Sequence, residues 1–107
     1  MDAHELSQLD WGEGVVVEGP LALDNILDVE AAKHKGIESK VAGAADVIVM
    51  PDIHAGNVFH KCIHFFGHYP YASGLLGTKI PVVMNSRTDD AESKYHSILI
   101  ALLQTLR

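Results

Sequence analysis

Cysteine is almost absent from this sequence, which contains a single one, Cys62, among its 107 residues. One thiol excludes an internal disulfide and fits a reducing cytoplasm, where we expect the protein to reside. Basic residues are scarce as well: eight Lys and Arg stand against 14 Asp and Glu, which gives a formal net charge of −6. Because no Lys/Arg cluster is present, we expect neither nucleic acid nor an anionic membrane surface as a partner.

Long hydrophobic runs are also lacking. The longest stretch without a charged residue, Cys62–Thr78, contains a proline, two histidines and several glycines. Neither a transmembrane helix nor a secretory signal fits that composition. With 48% hydrophobic and 21% charged residues, the chain has instead the composition of one folded domain, which we assign to residues 1–107.

Four short apolar segments predict β-strands. Three of them, Val15–Val17, Val47–Met50 and Ile80–Met84, are apolar throughout, and the fourth, Ala72–Leu76, is interpreted as a strand within the ambiguous stretch Tyr69–Gly77 because glycines flank and interrupt it. Strands that are apolar throughout, rather than alternating with polar residues, are typical of a parallel sheet that is covered on both faces. Since helices are predicted between these strands, the sequence predicts an α/β fold with a mainly parallel sheet.

Helix signals lie between and after the strands. The first dozen residues predict a short helix or leader, and Asp24 can cap a helix that runs to about His34 and stops at Gly36. Lys33, His34 and Lys35 would lie at the negative end of that helix. Two longer helices are predicted from about Ala55 to Gly67, with Cys62 in the core, and from about Asp90 to Leu106.

The turn Asn85–Asp90 is the most informative candidate site, because ligands of open α/β sheets lie beyond the carboxyl ends of the strands. The Ser86 hydroxyl, the Arg87 guanidinium and free backbone N–H groups would converge there on a helix N-terminus, which is suited to an anion. Helix capping is the alternative, either as a box from Ser86 to Asp89 or as a cap from Asp89 with Glu92. Capping does not explain Arg87.

A second turn, Pro51–Asn57, carries three candidate substrate-binding residues: Asp52, Gly56 and Asn57. Gly56 and Asn57 are poor helix formers in a first helical turn, which suggests close approach of a ligand or of another backbone. The alternative is a helix capped by Asp52 that tolerates its glycine.

Three histidines recur at four-residue intervals, namely His60, His64 and His68. The first two could face one metal ion, as in helices with two His one turn apart. No flanking Glu supplies a general base, and His68 lies beyond the predicted helix end. We therefore interpret them as partly exposed helix histidines and expect no metal site.

Three segments in register carry a resemblance to a known family. They are Gly19–Asn25 with Glu30–Ile37, Ala45–Ile53 with Ala55–Asn57 and Lys61, and Pro81–Arg87 with Asp89, Ala91–Lys94 and Ser97. Their order and spacing resemble those of phosphate acetyl/butyryltransferases, the butyryl branch in particular, from about Val15 to the last residue. One departure is His60, which stands before Lys61 where the family commonly has Tyr.

The resemblance implies a three-layer αβα fold related to isocitrate and isopropylmalate dehydrogenases. It also implies reversible transfer of a butyryl group between coenzyme A and inorganic phosphate, which are substrates, with no metal, cofactor or prosthetic group. In the family, a Ser-Arg pair in the active-site cleft helps to bind phosphate or acyl phosphate, and Ser86 and Arg87 match that pair. The acetyl branch adds two aspartates, the second a proposed base for the thiol; Glu92 and Ser93 stand there instead, which leaves Glu92 and Asp89 as candidate catalytic bases.

Family members run to about 300 residues in two lobes, and this chain resembles their C-terminal third. We therefore expect the full-length form to be a homo-oligomeric phosphate butyryltransferase, and this segment alone to be inactive. The alternatives are a phosphate acetyltransferase, or a non-catalytic α/β module for ligand binding or dimerisation.

Overall fold

The computed structural model describes residues 2–106. The chain forms two compact units, Met1–Ile53 and His54–Arg107. The assignment of residues 1–107 to one domain stays a prediction. Within the described residues, no helix is long and apolar enough to cross a membrane.

Three short helices make up the regular structure of the first unit, α1 Asp2–Ser7, α2 Leu23–Leu27 and α3 Val29–His34. Helices α2 and α3 pack against each other. The prediction of one continuous helix to His34 is wrong at Asp28, which adopts an extended conformation. Its side chain accepts a hydrogen bond from the backbone N–H of Glu30 at 2.8 Å. Asp28 therefore ends α2 and caps α3, the position that an Asp side chain favours.

The end of α3 is as predicted. Lys33 and His34 occupy its last turn, and Gly36 follows with φ 68°, a left-handed conformation that suits glycine. Lys35 caps the helix, and its ammonium group lies 2.6 Å from a carboxylate oxygen of Asp24. Lys35 and Asp24 thereby connect the end of α3 to the start of α2.

Two longer helices belong to the second half of the chain, α4 Ile53–Gly67 and α5 Ala91–Gln104. Both were predicted, although α4 begins two residues earlier than expected. Directly after α4, His68 has φ 52° and its N–H donates to the His64 carbonyl at 3.2 Å. The third histidine therefore lies outside the helix, as the sequence predicted.

The four predicted strands are not formed among residues 2–106, which contain a single isolated antiparallel bridge between Leu75 and Val82. This corrects the expectation of a mainly parallel sheet for the described part of the chain. Parallel strands are stabilised by neighbouring strands and by helices that cover both faces. Val47 and Val49 have no such cover and are 78% and 77% exposed.

Few apolar side chains are buried. Among the described residues, Ala32 in α3 and Ala101 in α5 are the buried hydrophobic positions. Cys62 was predicted to lie in the core but is exposed in α4. The other buried side chains are polar, namely Asn25, Asp89, Ser93 and Ser97. Three of these four lie directly before α5 or in its first half, and they position the candidate site.

Candidate functional site

Asp89 is the buried centre of the turn that precedes α5, with an exposed fraction of 6%. One of its carboxylate oxygens accepts the backbone N–H of Ser86 at 2.7 Å, and the other accepts the hydroxyl of Tyr71. The hydrogen bond from Tyr71 holds the pKa of Asp89 below its usual value. Burial, together with the neighbouring carboxylate, raises the pKa of Tyr71 to about 12.

The helix cap next to this turn is Asp90. Its side chain accepts the N–H of Ser93 at 2.7 Å, so the predicted cap by Asp89 with Glu92 is wrong by one residue. The predicted capping box is half formed, because Asp89 does accept the Ser86 N–H. The Ser86 hydroxyl instead lies 3.0 Å from the Thr88 hydroxyl. The N–H groups of Ser86 and Ser93 thus donate to Asp89 and Asp90. These two groups are not available to an anion, although the sequence predicted free N–H groups in this turn.

Serine side chains fix the backbone on the other side of the turn. The Ser73 hydroxyl donates to the carbonyl of Met84, and the Ser73 N–H donates to the Ser97 hydroxyl at 2.9 Å. The Ser97 hydroxyl in turn donates to the Ser93 carbonyl at 2.8 Å. Ser73 therefore links the backbone at Met84, just before Ser86 and Arg87, to Ser97 on α5.

Arg87 is exposed at the tip of this turn. Ion pairs among residues 2–106 join Lys33 to Glu30 and Lys35 to Asp24, so no described carboxylate neutralises the Arg87 guanidinium. The neighbouring Ser86 is half-buried. A fixed backbone with an unpaired guanidinium and an adjacent hydroxyl is chemically suited to binding a phosphate oxygen.

The residues of the other candidate turn lie before and within the first turns of α4. Gly56 and Asn57 lie in the first five residues of α4, the glycine half-buried and the asparagine exposed. Asp52 precedes α4, is exposed and belongs to the first unit. Their assignment to substrate binding stays a prediction.

Glu92 is exposed in the first turn of α5 and borders a cavity of about 450 Å³. The other residues around this cavity are His64, His68, Tyr69, Pro70, Asp90 and Ser93. A second cavity, of about 420 Å³, is mostly apolar and lies between residues 70–72 and α5. Glu92 is thus accessible to a ligand, whereas Asp89 is enclosed by its hydrogen-bond donors.

His60 and His64 pack against the ring of Tyr71, with ring centroids 4.6 Å and 5.0 Å away. Both are half-buried and His68 is exposed, in line with their interpretation as partly exposed helix residues. Burial lowers the pKa of His60, which favours its neutral form. Among residues 2–106, no group of three or more His, Cys, Asp or Glu could hold a metal ion.

Sequence reasoning missed Tyr71 and Ser73 as parts of the site. Both lie in a segment without regular structure, Ser73 within the strand wrongly predicted at Ala72–Leu76 and Tyr71 just before it, and their partners are 11 to 24 residues away. No local sequence pattern reports such contacts. Ser97 was included in the third family motif, but without a role.

Comparison with known proteins places these residues in a family. Residues 2–102 match the family described as phosphate acetyl/butaryl transferase. A phosphate acetyltransferase from Thermotoga maritima is 48% identical over 104 residues, which cover 94% of this chain and 35% of that protein. A phosphate butyryltransferase from Clostridium acetobutylicum is 46% identical over 106 residues, covering 96% of this chain and 35% of that protein.

A solved structure also resembles the chain. The crystal structure of a branched-chain phosphotransacylase from Enterococcus faecalis V583 matches with a TM-score of 0.78 at 37% identity, covering 96% of this chain and 39% of that one. This likeness is consistent with the predicted α/β fold class. The chain spans little more than a third of the length of the curated relatives it matches, and its similarity to them extends over nearly all of its residues. By these matches, the chain belongs to the phosphate acetyl/butyryltransferase family.

Proposed function

We propose that this chain supplies the phosphate-binding turn of an enzyme that transfers an acyl group between coenzyme A and inorganic phosphate. The observation that carries the proposal is the Arg87 guanidinium, which is exposed and unpaired among residues 2–106 on a turn whose backbone is fixed by Asp89. In the reaction, a phosphate oxygen attacks the thioester carbonyl, a C–O bond forms, the C–S bond breaks and coenzyme A leaves as the thiolate. Arg87 and the Ser86 hydroxyl would orient the phosphate and disperse its charge during the attack.

The reverse direction needs a base that deprotonates the coenzyme A thiol, and two carboxylates were predicted. We propose Glu92 for this role, because it is exposed beside the larger cavity and follows the turn Asn85–Asp90 by two residues in the sequence. Asp89 accepts hydrogen bonds on both oxygens and its pKa is held low, which makes it a weak base. Its geometry favours a role in shaping the turn.

For the acyl group we propose butyryl, with acetyl as the alternative. The segment Gly19–Asn25 and the pair Glu92–Ser93 resemble the butyryl branch. The names of the relatives are divided, since an acetyltransferase and a butyryltransferase match at 48% and 46% identity. We further propose that the complete protein has the three-layer αβα arrangement and forms a homo-oligomer.

Phosphate binding can be tested on the 107-residue chain by titrating inorganic phosphate and following backbone amide resonances by NMR. We expect the largest shifts at Ser86 and Arg87. Arg87→Lys should weaken binding by about 1.5–3 kcal/mol, because an ammonium group cannot reproduce the planar two-point contact of a guanidinium. Lys33→Gln, which removes an exposed charge in the first unit, is the control. Equal affinity for wild type and Arg87→Lys would place the anion site elsewhere.

Catalysis can be tested in two hybrids, in which this chain replaces the matching segment of the Thermotoga maritima or the Clostridium acetobutylicum relative. If the site is competent, we expect both hybrids to turn over acyl phosphate in a coenzyme A-dependent reaction. We expect this activity to be lost when the hybrids carry Arg87→Lys. If this chain determines acyl preference, the Thermotoga hybrid should gain activity with butyryl phosphate. Folded hybrids that bind phosphate without turnover would favour the alternative of a non-catalytic module.

A further inference from the structure

One short segment, residues 71–73, contacts the Ser86–Arg87 turn on both sides. Before the turn, the Ser73 hydroxyl donates to the Met84 carbonyl. After it, the Tyr71 hydroxyl donates to Asp89, whose other carboxylate oxygen accepts the Ser86 N–H at 2.7 Å. The chemistry proposed above assigns no role to this segment, yet it determines where the turn lies.

The burial of Asp89 and the packing of the Tyr71 ring both favour the hydrogen bond between these two residues. Asp89 is almost fully buried, and a buried carboxylate is costly unless donors satisfy its oxygens. The Tyr71 ring is held edge-on by His60 at 4.6 Å and His64 at 5.0 Å. Packing against α4 thus restricts the ring, and its hydroxyl is directed at the carboxylate without further loss of side-chain freedom.

We propose that Tyr71 is a positioning residue for anion binding, which fixes the Ser86–Arg87 turn by holding Asp89 in place. This inference rests on the proposed function. Asp89 turns the Ser86 N–H inward, and Arg87 remains on the exposed side of the turn. The two donors on Asp89 also disperse the charge of a carboxylate that would otherwise repel phosphate from the turn.

Tyr71→Phe tests the proposal, because it removes the hydroxyl and keeps the ring. In the 107-residue chain, we expect the dissociation constant for inorganic phosphate, measured by NMR at the Arg87 amide, to rise by up to about tenfold, because the energy of one hydrogen bond to a charged group limits how far the turn can shift from its binding position. The control is Tyr95→Phe, which removes a hydroxyl from a residue that is 58% exposed on α5 and should leave the affinity unchanged.

A second measurement requires no phosphate. The Ser86 amide donates to Asp89, so its chemical shift should follow the ionisation of that carboxylate as pH is lowered. In Tyr71→Phe the midpoint should move to higher pH, since the ionised form loses a donor. The Ser73→Ala variant should weaken phosphate binding without moving this midpoint, because Ser73 contacts the Met84 carbonyl and not Asp89.

The outcomes separate this inference from the proposed function. The positioning role is overturned if Tyr71→Phe leaves the pH midpoint of the Ser86 amide unchanged. It is also overturned if the midpoint shifts but the affinity for phosphate does not change. Absence of phosphate shifts in the wild type overturns the proposed function instead, and the midpoint alone then decides whether Tyr71 fixes Asp89. If Tyr71→Phe unfolds the 107-residue chain, the same substitution is made in the hybrid with the Thermotoga maritima relative, and an unchanged dissociation constant for phosphate there contradicts the inference.

Discussion

Removal of the Ser97 hydroxyl should destabilise the second unit by about 1–2 kcal/mol. Ser97 has no exposed surface; its hydroxyl accepts the Ser73 N–H at 2.9 Å and donates to the Ser93 carbonyl at 2.8 Å. In Ser97→Ala the Ser73 N–H loses its acceptor, and stranding a buried donor costs about 1–3 kcal/mol. Ser73 is half-buried, so water can compensate in part and the lower part of that range applies. The Ser93 carbonyl keeps its helical N–H partner and adds little to the loss.

Urea unfolding followed by far-ultraviolet circular dichroism measures this loss, and amide hydrogen exchange at Ser73 locates it. Thr105→Ala is the matched control: the Thr105 hydroxyl also donates to a backbone carbonyl of α5, that of Leu102 at 2.7 Å, but the residue is exposed. We expect that control to change the free energy of unfolding by less than about 0.5 kcal/mol. Equal losses in Ser97→Ala and Thr105→Ala would refute the reasoning, because the acceptor for Ser73 would then contribute nothing.

Three further outcomes are expected. The hydrogen bond from Tyr71 lowers the pKa of Asp89 in the folded chain, so the ionised carboxylate stabilises the fold. This stabilisation is fully present above about pH 4, the ordinary pKa of an unfolded Asp. It is lost as pH falls through the lower pKa of the folded state. Asp89→Asn should therefore destabilise the chain at pH 7 in urea unfolding and show a much smaller deficit at about pH 2; a deficit independent of pH contradicts this linkage. In the hybrids, Glu92→Gln should reduce kcat and leave the phosphate KM unchanged, with Glu30→Gln as the exposed control; unchanged kcat would remove Glu92 as the base. Finally, the large apolar residues Val47, Phe66 and Ile80 are 78%, 83% and 71% exposed, so we expect concentration-dependent association in sedimentation, and a monodisperse monomer with a high Tm would contradict this.

The helices were predictable because their signals are local. Capping and stop residues such as Gly36 act on the backbone within a few positions, and the predicted ends of α4 and α5 agree with the structure to within two residues. The choice between Asp89 and Asp90 as the cap of α5 was not predictable, since both side chains can cap equally well. The difference arises from Tyr71, 18 residues away, whose hydroxyl donates a hydrogen bond to Asp89.

The strand predictions were wrong because the formation of a strand depends on contacts that are distant in the sequence. An apolar run such as Val47–Met50 specifies burial, but a parallel strand exists only where another strand and a covering helix meet it. Local sequence carries no information on whether those partners are present. The Ser86–Arg87 turn could be found from its chemistry, whereas Ser73 could not, because its role arises from backbone contacts made across 11 and 24 residues.

The exposed thiol of Cys62 has a practical consequence for every measurement of acyl transfer. Assays that count coenzyme A with a disulfide reagent will also count the Cys62 thiol, and this part of the background scales with enzyme concentration and not with time. The same thiol is an opportunity, since the sequence offers no competing site for a maleimide dye or a spin label. Cys62 is two residues from His60 on α4 and therefore faces away from the side that packs against Tyr71. A label there can report motion of α4 without entering the phosphate turn.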